Sequence, residues 1–301
     1  MMAIPFSPQA APARHPGSAR SWWRSLTRGS RLRAIITTAI LLPIGFGWIY
    51  PFLWMVSAGF KPTNEIFSGL SLIPADPQPQ NFSRAWTDAR IGDYFLNTVI
   101  VTVGSIAIVL VSVSMIGYVL GRYQFPGKKI IIVAFAITVF LPEGYTIIPI
   151  FELVNRLGLA NSLLGVTLAQ AGGAQVVMVL LFAGYFAQLP KELEEAAVVD
   201  GAGFFRVFWQ IMLPLAKPVI ATTIILQFMH SWNAFLQPLV LTLSRPDLRT
   251  LAVGIYAFKG QFFTDWSGMA AAATISLAPI VIVFLFLQRY FVEGIAGAVK
   301  S

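Results

Sequence analysis

Long apolar stretches alternate with shorter polar ones along the chain. Six apolar runs stand out, at residues 34–57, 94–120, 130–151, 162–186, 218–240 and 268–292. A helix needs about 20 apolar residues to cross the hydrocarbon core of a bilayer, and every run has that length. The pattern predicts an all-α, polytopic membrane protein with about six transmembrane helices. Two of the runs are interrupted: the third holds Pro142 and Glu143, and the fifth holds Gln227, His230, Asn233 and Gln237. Polar groups are costly against lipid, so these spans should turn their polar sides toward the bundle interior.

Composition fits this class. Of 301 residues 56% are hydrophobic and 11% charged, far from the balance of a soluble domain. The net charge of +8 follows from topology. With the N-terminus inside, 14 of the 21 Lys and Arg residues fall on the cytoplasmic side, where basic residues collect. Both termini are therefore expected in the cytoplasm of a cell inner-membrane protein, with lipid and not nucleic acid as the surrounding partner. The chain has no cysteine, which excludes disulfides, thiol catalysis and cysteine-ligated metals. Its two histidines supply neither a metal centre nor a base for a nucleophile, so no catalytic or metal residue and no enzyme activity is expected.

Residues 1–30, rich in Pro, Ala, Ser and Arg, predict a disordered basic cytoplasmic tail. The apolar run from Ala34 is too long for a cleaved signal peptide and should be retained. Residues 31–301 form the membrane domain, with external loops at 58–93 and 241–267 and a cytoplasmic loop at 187–217. The turn 121–129 (GRYQFPGKK) imitates a nucleotide-binding loop. It has five residues between its glycines, however, and Lys129 in place of Ser or Thr after Lys128, so it does not fit that motif. Gly117 and Gly121 form a small-xxx-small pair suited to close helix packing.

The loop 187–217 (AQLPKELEEAAVVDGAGFFRVFWQIMLPLAK) is the most patterned segment. Pro190 suits a helix start, and Glu192, Glu194 and Glu195 complement the positive end of the helix dipole. Gly201 can adopt the positive φ that closes the helix. Phe204, Phe205, Phe208, Trp209, Ile211 and Met212 predict a second, apolar helix packed on the membrane base or on another protein, ended by Pro214.

Glu195-Ala196-Ala197, then Gly201, then Ile211-Met212-Leu213-Pro214, resembles the EAA signature of permeases in binding-protein-dependent ABC importers. The stretch 231–239 (SWNAFLQPL) and the ending around 288–300 are similar to the carbohydrate-uptake branch, specifically the second permease of maltose-type systems. Residues 52–300 share the resemblance. It implies a type I ABC importer permease fold and import of a sugar or oligosaccharide, with glycerol phosphate or a non-ABC transporter as alternatives. It also implies four kinds of partner: a second, unlike permease, two ATP-binding subunits that hold ATP and Mg, an extracytoplasmic sugar-binding protein, and the bilayer. No cofactor is expected in this chain itself. Glu195, Ala196, Ala197, Asp200, Gly201, Ile211, Leu213 and Pro214 would couple to the ATPase. Glu143, Gln170, Gln175, Gln227, Asn233 and Gln237, on the third to fifth spans, are candidates for the translocation path. Arg249, Lys259, Gln261 and Asp265 are candidates for contact with the binding protein.

Overall fold

The computed structural model describes the backbone of residues 28–140, 143–173, 175–260 and 263–299. By internal packing the chain divides into Met1–Leu53 and Trp54–Ser301. The first unit contributes most of helix α1 (Arg28–Gly59), which starts within the expected tail and contains Pro43 and Pro51. Residues 1–27 of that tail lie outside the described residues. Ile40, Leu42, Trp48 and Phe52 of α1 are exposed, as on a helix that is apolar all round and suited to lipid.

In the second unit α2 (Thr63–Ile66) and α3 (Gln80–Thr87) precede α4 (Ile91–Arg122), followed by α5 (Lys128–Thr138), α6 (Ile147–Arg156), α7 (Leu163–Gly172) and α8 (Val176–Gln188). Then come α9 (Glu192–Val199), α10 (Phe204–Leu215), α11 (Lys217–Trp232), α12 (Leu236–Leu241), α13 (Leu251–Tyr256) and α14 (Trp266–Val299). Among the described residues, three continuous helices are long and apolar enough to span a membrane: Arg33–Gly59, Ile91–Arg122 and Trp266–Gln288.

The other three apolar runs are broken, not continuous as expected. The third divides into α5, a 3-10 turn at Glu143–Thr146 and α6, around Pro142, which cannot continue a helical ladder. In the fourth, α7 and α8 meet at 55° beyond Gly172 and Gly173, a pair that permits a sharp kink. The fifth stops at Trp232 and resumes at Leu236. Irregular backbone at membrane depth is tolerated only inside protein or beside a cavity.

Helix α4 is the axis of the second unit, packing along α8, α11 and α7. A Cβ on Gly121 would come within 2.6 Å of the Ala183 carbonyl oxygen, and one on Gly117 within 3.0 Å of the Val179 oxygen. The small-xxx-small pair is thus the seam where α4 meets α8. The loop 58–93, expected to be external, is tied down. Asn81 Nδ2 donates to the carbonyls of Gly59 and Lys61, each at 3.1 Å, and the Glu65 carboxylate accepts from Ala75 N at 2.8 Å. Lys61 is only 1% exposed, with Nζ donating to the Ser71 carbonyl.

Candidate functional site

Helix α9 begins at Glu192 with Lys191 at its N-cap, two residues later than Pro190 suggested. Its first turn carries the three carboxylates Glu192, Glu194 and Glu195, at the helix end where negative charge is favourable. At the other end Gly201 has φ +80°. Gly201 N donates to Val198 O at 3.0 Å and Ala202 N to Ala197 O at 2.9 Å, the bond pair of a Schellman C-cap. Ala197 and Ala202 both belong to the apolar cluster that α4, α8 and α10 share. No heavy atom lies within 4 Å of a Cβ placed on Gly201. Glycine is therefore required there by backbone conformation and not by space.

Helix α10 is the platform beneath α9. Val207, Phe208 and Met212 are buried beside Tyr118, Phe182 and Phe186 of α4 and α8, with Tyr118 5.3 Å from the Phe208 ring centre and 5.4 Å from that of Phe204. The turn Phe208–Met212 is π-helical. Pro214 lies inside the last turn and does not end α10; the chain bends by 80° two residues later, at the buried Ala216. Tyr185 Oη donates to the Leu215 carbonyl at 2.7 Å and fixes that corner to α8.

The expected coupling residues separate into two sets. Glu195, Ala196, Asp200, Gly201 and Pro214 are exposed, whereas Ala197 is buried and Ile211 and Leu213 are half-buried. Val198 is exposed too, and Val199 is 86% exposed, so this helix presents apolar side chains outward between carboxylates. Between α9 and α10 lies an open cleft of about 510 Å3 lined by Glu192, Ala196, Asp200, Arg206 and Gln210 among others.

Sequence reasoning missed the contact that anchors α9. Arg122, treated there only as a topological charge, is 4% exposed, and its Nε lies 3.0 Å from Glu194 Oε1. Its remaining donors reach the end of α8: Nη1 to the carbonyls of Leu189 (2.7 Å) and Phe186 (3.3 Å), and Nη2 to that of Pro190 (3.3 Å). The three carbonyls sit at and just beyond the C-terminal end of α8, where helix-end acceptors call for partners from outside the ladder. The Arg122–Glu194 contact is an ion pair and not an aligned hydrogen bond, since Glu194 Oε1 has no hydrogen-bonding donor in line. A basic residue closing α4 was the signal available; its partner 72 positions away was not.

The polar path candidates converge in part. A cavity of about 420 Å3 is lined by Gly144 and Ile147 from the third run, Gln170 from α7, and Met229, His230 and residues 233–237 around the break between α11 and α12. It brings together Gln170, Asn233 and Gln237, with His230 beside them. Gln227 Nε2 and Gln175 Nε2 both donate to the Gln170 carbonyl, at 3.3 and 3.4 Å, without lining the cavity. The Oε1 atoms of Gln170, Gln227 and Gln237 are buried without a donor. The Glu143 side chain lies outside the described residues.

Of the four loop candidates, Arg249, Lys259 and Asp265 fall within the described residues, and a bridge between Lys259 and Thr264 brings the last two near each other. The Arg249 carbonyl accepts from Asn97 Nδ2 at 3.0 Å, and Lys259 Nζ sits 5.9 Å from the Tyr256 ring centre. Asp265 is engaged within the chain, paired with Arg84 at 3.0 Å and capping α14 through Gly268 N at 2.9 Å. Gln261 lies outside the described residues. Asp247, beside these, is held below the usual carboxylate range by Arg245, whose Nε and Nη2 approach it at 2.9 and 2.7 Å.

Residues 90–297 match the family described as binding-protein-dependent transport system inner membrane component. Among curated proteins, the probable ABC transporter permease protein YurM of Bacillus subtilis is 37% identical over 84% of this chain and 84% of its own length. The diacetylchitobiose uptake system permease protein NgcG of Streptomyces coelicolor is 34% identical over 92% and 91%. The arabinooligosaccharides transport system permease protein AraQ of Halalkalibacterium halodurans is 34% identical over 87% and 96%. Among solved structures, a chain of a bacterial ABC transporter involved in the import of the acidic polysaccharide alginate superposes with TM-score 0.74 at 23% identity, covering 88% of this chain and 98% of that one. At that identity the likeness shows the fold.

Proposed function

The chain belongs to the family of binding-protein-dependent transport system inner membrane components, and from that premise we propose that it is one of two unlike permease subunits in an ATP-driven importer of a sugar or oligosaccharide. Both termini face the cytoplasm in this reading, as the distribution of basic residues requires. The chain supplies half of an alternating-access path and no chemistry of its own. ATP and Mg are held and used by two partner subunits.

The observation that carries this reading is α9. It is a short helix, closed by a Schellman turn and backed by a packed platform, yet it presents Val198 and Val199 outward beside Glu195 and Asp200. Exposed apolar residues on a rigid element at a membrane protein's cytoplasmic end favour a protein partner, and a rigid element transmits that partner's closure as rigid-body movement. Sugar as cargo is supported by the names of the relatives, which move diacetylchitobiose and arabinooligosaccharides, and by a cavity lined with amides. Amides donate and accept, as hydroxyl-rich solutes require. The external loops carry the contact with a sugar-binding protein.

The experiment is uptake of labelled diacetylchitobiose, an arabino-oligosaccharide, raffinose and maltose by cells with and without this chain, alongside Gly201→Asp. The expected result is loss of one sugar's uptake in both cases, with the variant still inserted in the membrane. Gly201→Ala separates two causes. It incurs the same positive-φ strain, about 1–2 kcal/mol, without projecting a carboxylate, and should retain more uptake than Gly201→Asp. Full ATP-dependent uptake in Gly201→Asp would refute the coupling role.

A further inference from the structure

We propose that Arg122 is the positioning residue that joins the ATPase-docking helix to the membrane bundle, acting through Glu194 as a strut. The inference rests on the reading that α9 docks a partner ATPase. Three elements meet at this one guanidinium: it closes α4, it caps the carbonyl end of α8, and it pairs with the first turn of α9. Its 4% exposure keeps the pair out of bulk water, where a surface ion pair would contribute little. A planar fork is the chemistry this junction needs, because one group must serve carbonyls in one direction and a carboxylate in another.

The strut matters because α9 is otherwise lightly held. Ala197 is its one buried residue, and its first turn, unlike the end closed at Gly201, has no side-chain cap of its own. A load applied to Val198, Val199 and Glu195 would tilt α9 about its closed end unless its first turn were fixed. Arg122 fixes that turn to the ends of the two helices that share the glycine seam. Displacement of α9 is then delivered to α4 and α8 together. A purely structural cap for α8 would need only the three carbonyl contacts. The added contact to Glu194 extends the junction to the docking helix.

The test uses the whole assembly in proteoliposomes with its binding protein, measuring ATP hydrolysis and uptake of whichever panel sugar the wild type accumulates. In Arg122→Gln the ATP consumed per sugar imported should rise on the order of tenfold, with half-saturating sugar concentration unchanged. Glu194→Gln, which leaves the α8 carbonyl contacts in place, should raise the ratio similarly, and the double variant should go no further because the two residues act as one unit. Arg122→Lys keeps the charge without the fork and should fall between. An unchanged ratio in Glu194→Gln overturns the proposal, including where Arg122→Gln does not assemble. Wild-type vesicles that import none of the panel sugars at the expense of ATP would instead overturn the transport reading beneath it.

Discussion

Replacing Gly121 by alanine tests the seam between α4 and α8 with the smallest possible change. The new methyl would sit 2.6 Å from the Ala183 carbonyl oxygen and 3.2 Å from Phe186 Cβ, about 0.8 Å inside ordinary van der Waals contact with a backbone atom. Neither neighbour can turn aside, because one is main chain and the other is the root of a fully buried side chain. Alanine favours helix over glycine by about 1 kcal/mol, whereas overpacking costs about 1–3 kcal/mol. The net expectation is a loss of roughly 1–2 kcal/mol. Gly184, on α8 itself, provides the control, since nothing lies within 4 Å of its added Cβ. Gly184→Ala should be neutral or stabilise by up to about 1 kcal/mol. Denaturant midpoints of the micelle-solubilised protein, followed by tryptophan fluorescence, read both signs in one experiment. A Gly121→Ala protein at least as stable as wild type would refute the close-packed seam.

Two other expectations concern polar groups. Gln227→Leu removes one 3.3 Å bond to the Gln170 carbonyl and one donor-less buried oxygen together, so unfolding should shift by less than about 1 kcal/mol; a loss above about 2 kcal/mol would mean that Oε1 has a partner in the intact assembly. The Asp247 carboxyl is depressed by Arg245, so what this pair adds to stability is complete above the ordinary carboxylate value of 3.8 and fades as pH falls through the lower folded value. The stability difference between wild type and Arg245→Gln should accordingly be flat from about pH 5 to 8 and shrink toward about pH 2, and a difference that changes with pH between 6 and 8 would refute this assignment.

Hydropathy made the membrane class and the six apolar runs legible, but averaging over a window hides where a run is broken. Pro142 and Glu143 flagged the third interruption, and the amides of the fifth run flagged its polar side, yet the gap at residues 233–235 and the kink beyond Gly172 were not read as breaks. The turn at Gly201 was legible because its requirement is local: one residue, one positive φ. The Arg122–Glu194 contact was not, because pairing across 72 positions depends on how α4, α8 and α9 assemble. Asp265 illustrates the converse. Arg84 and the first turn of α14 engage it, and no local pattern distinguishes an engaged carboxylate from a free one.

The continuity of the helices separates rigid from adaptable parts of the second unit. Helix α4 runs 32 residues without a break and carries both the glycine seam and Arg122, so it can transmit displacement along its length without absorbing it. The runs around it are interrupted at the depth where Gln170, Asn233 and Gln237 converge, and a break removes helix hydrogen bonds whose loss must be made good by neighbours or by a cavity. Donor-less oxygens on Gln170 and Gln237 lie at that same level. Such acceptors are costly in a closed interior and tolerable beside a space that admits water or hydroxyl groups. One unbroken helix paired with α9 at its end, beside broken ones whose polar edges line a cavity, is an arrangement in which, on the proposed coupling, a movement of α9 can alter access to that cavity.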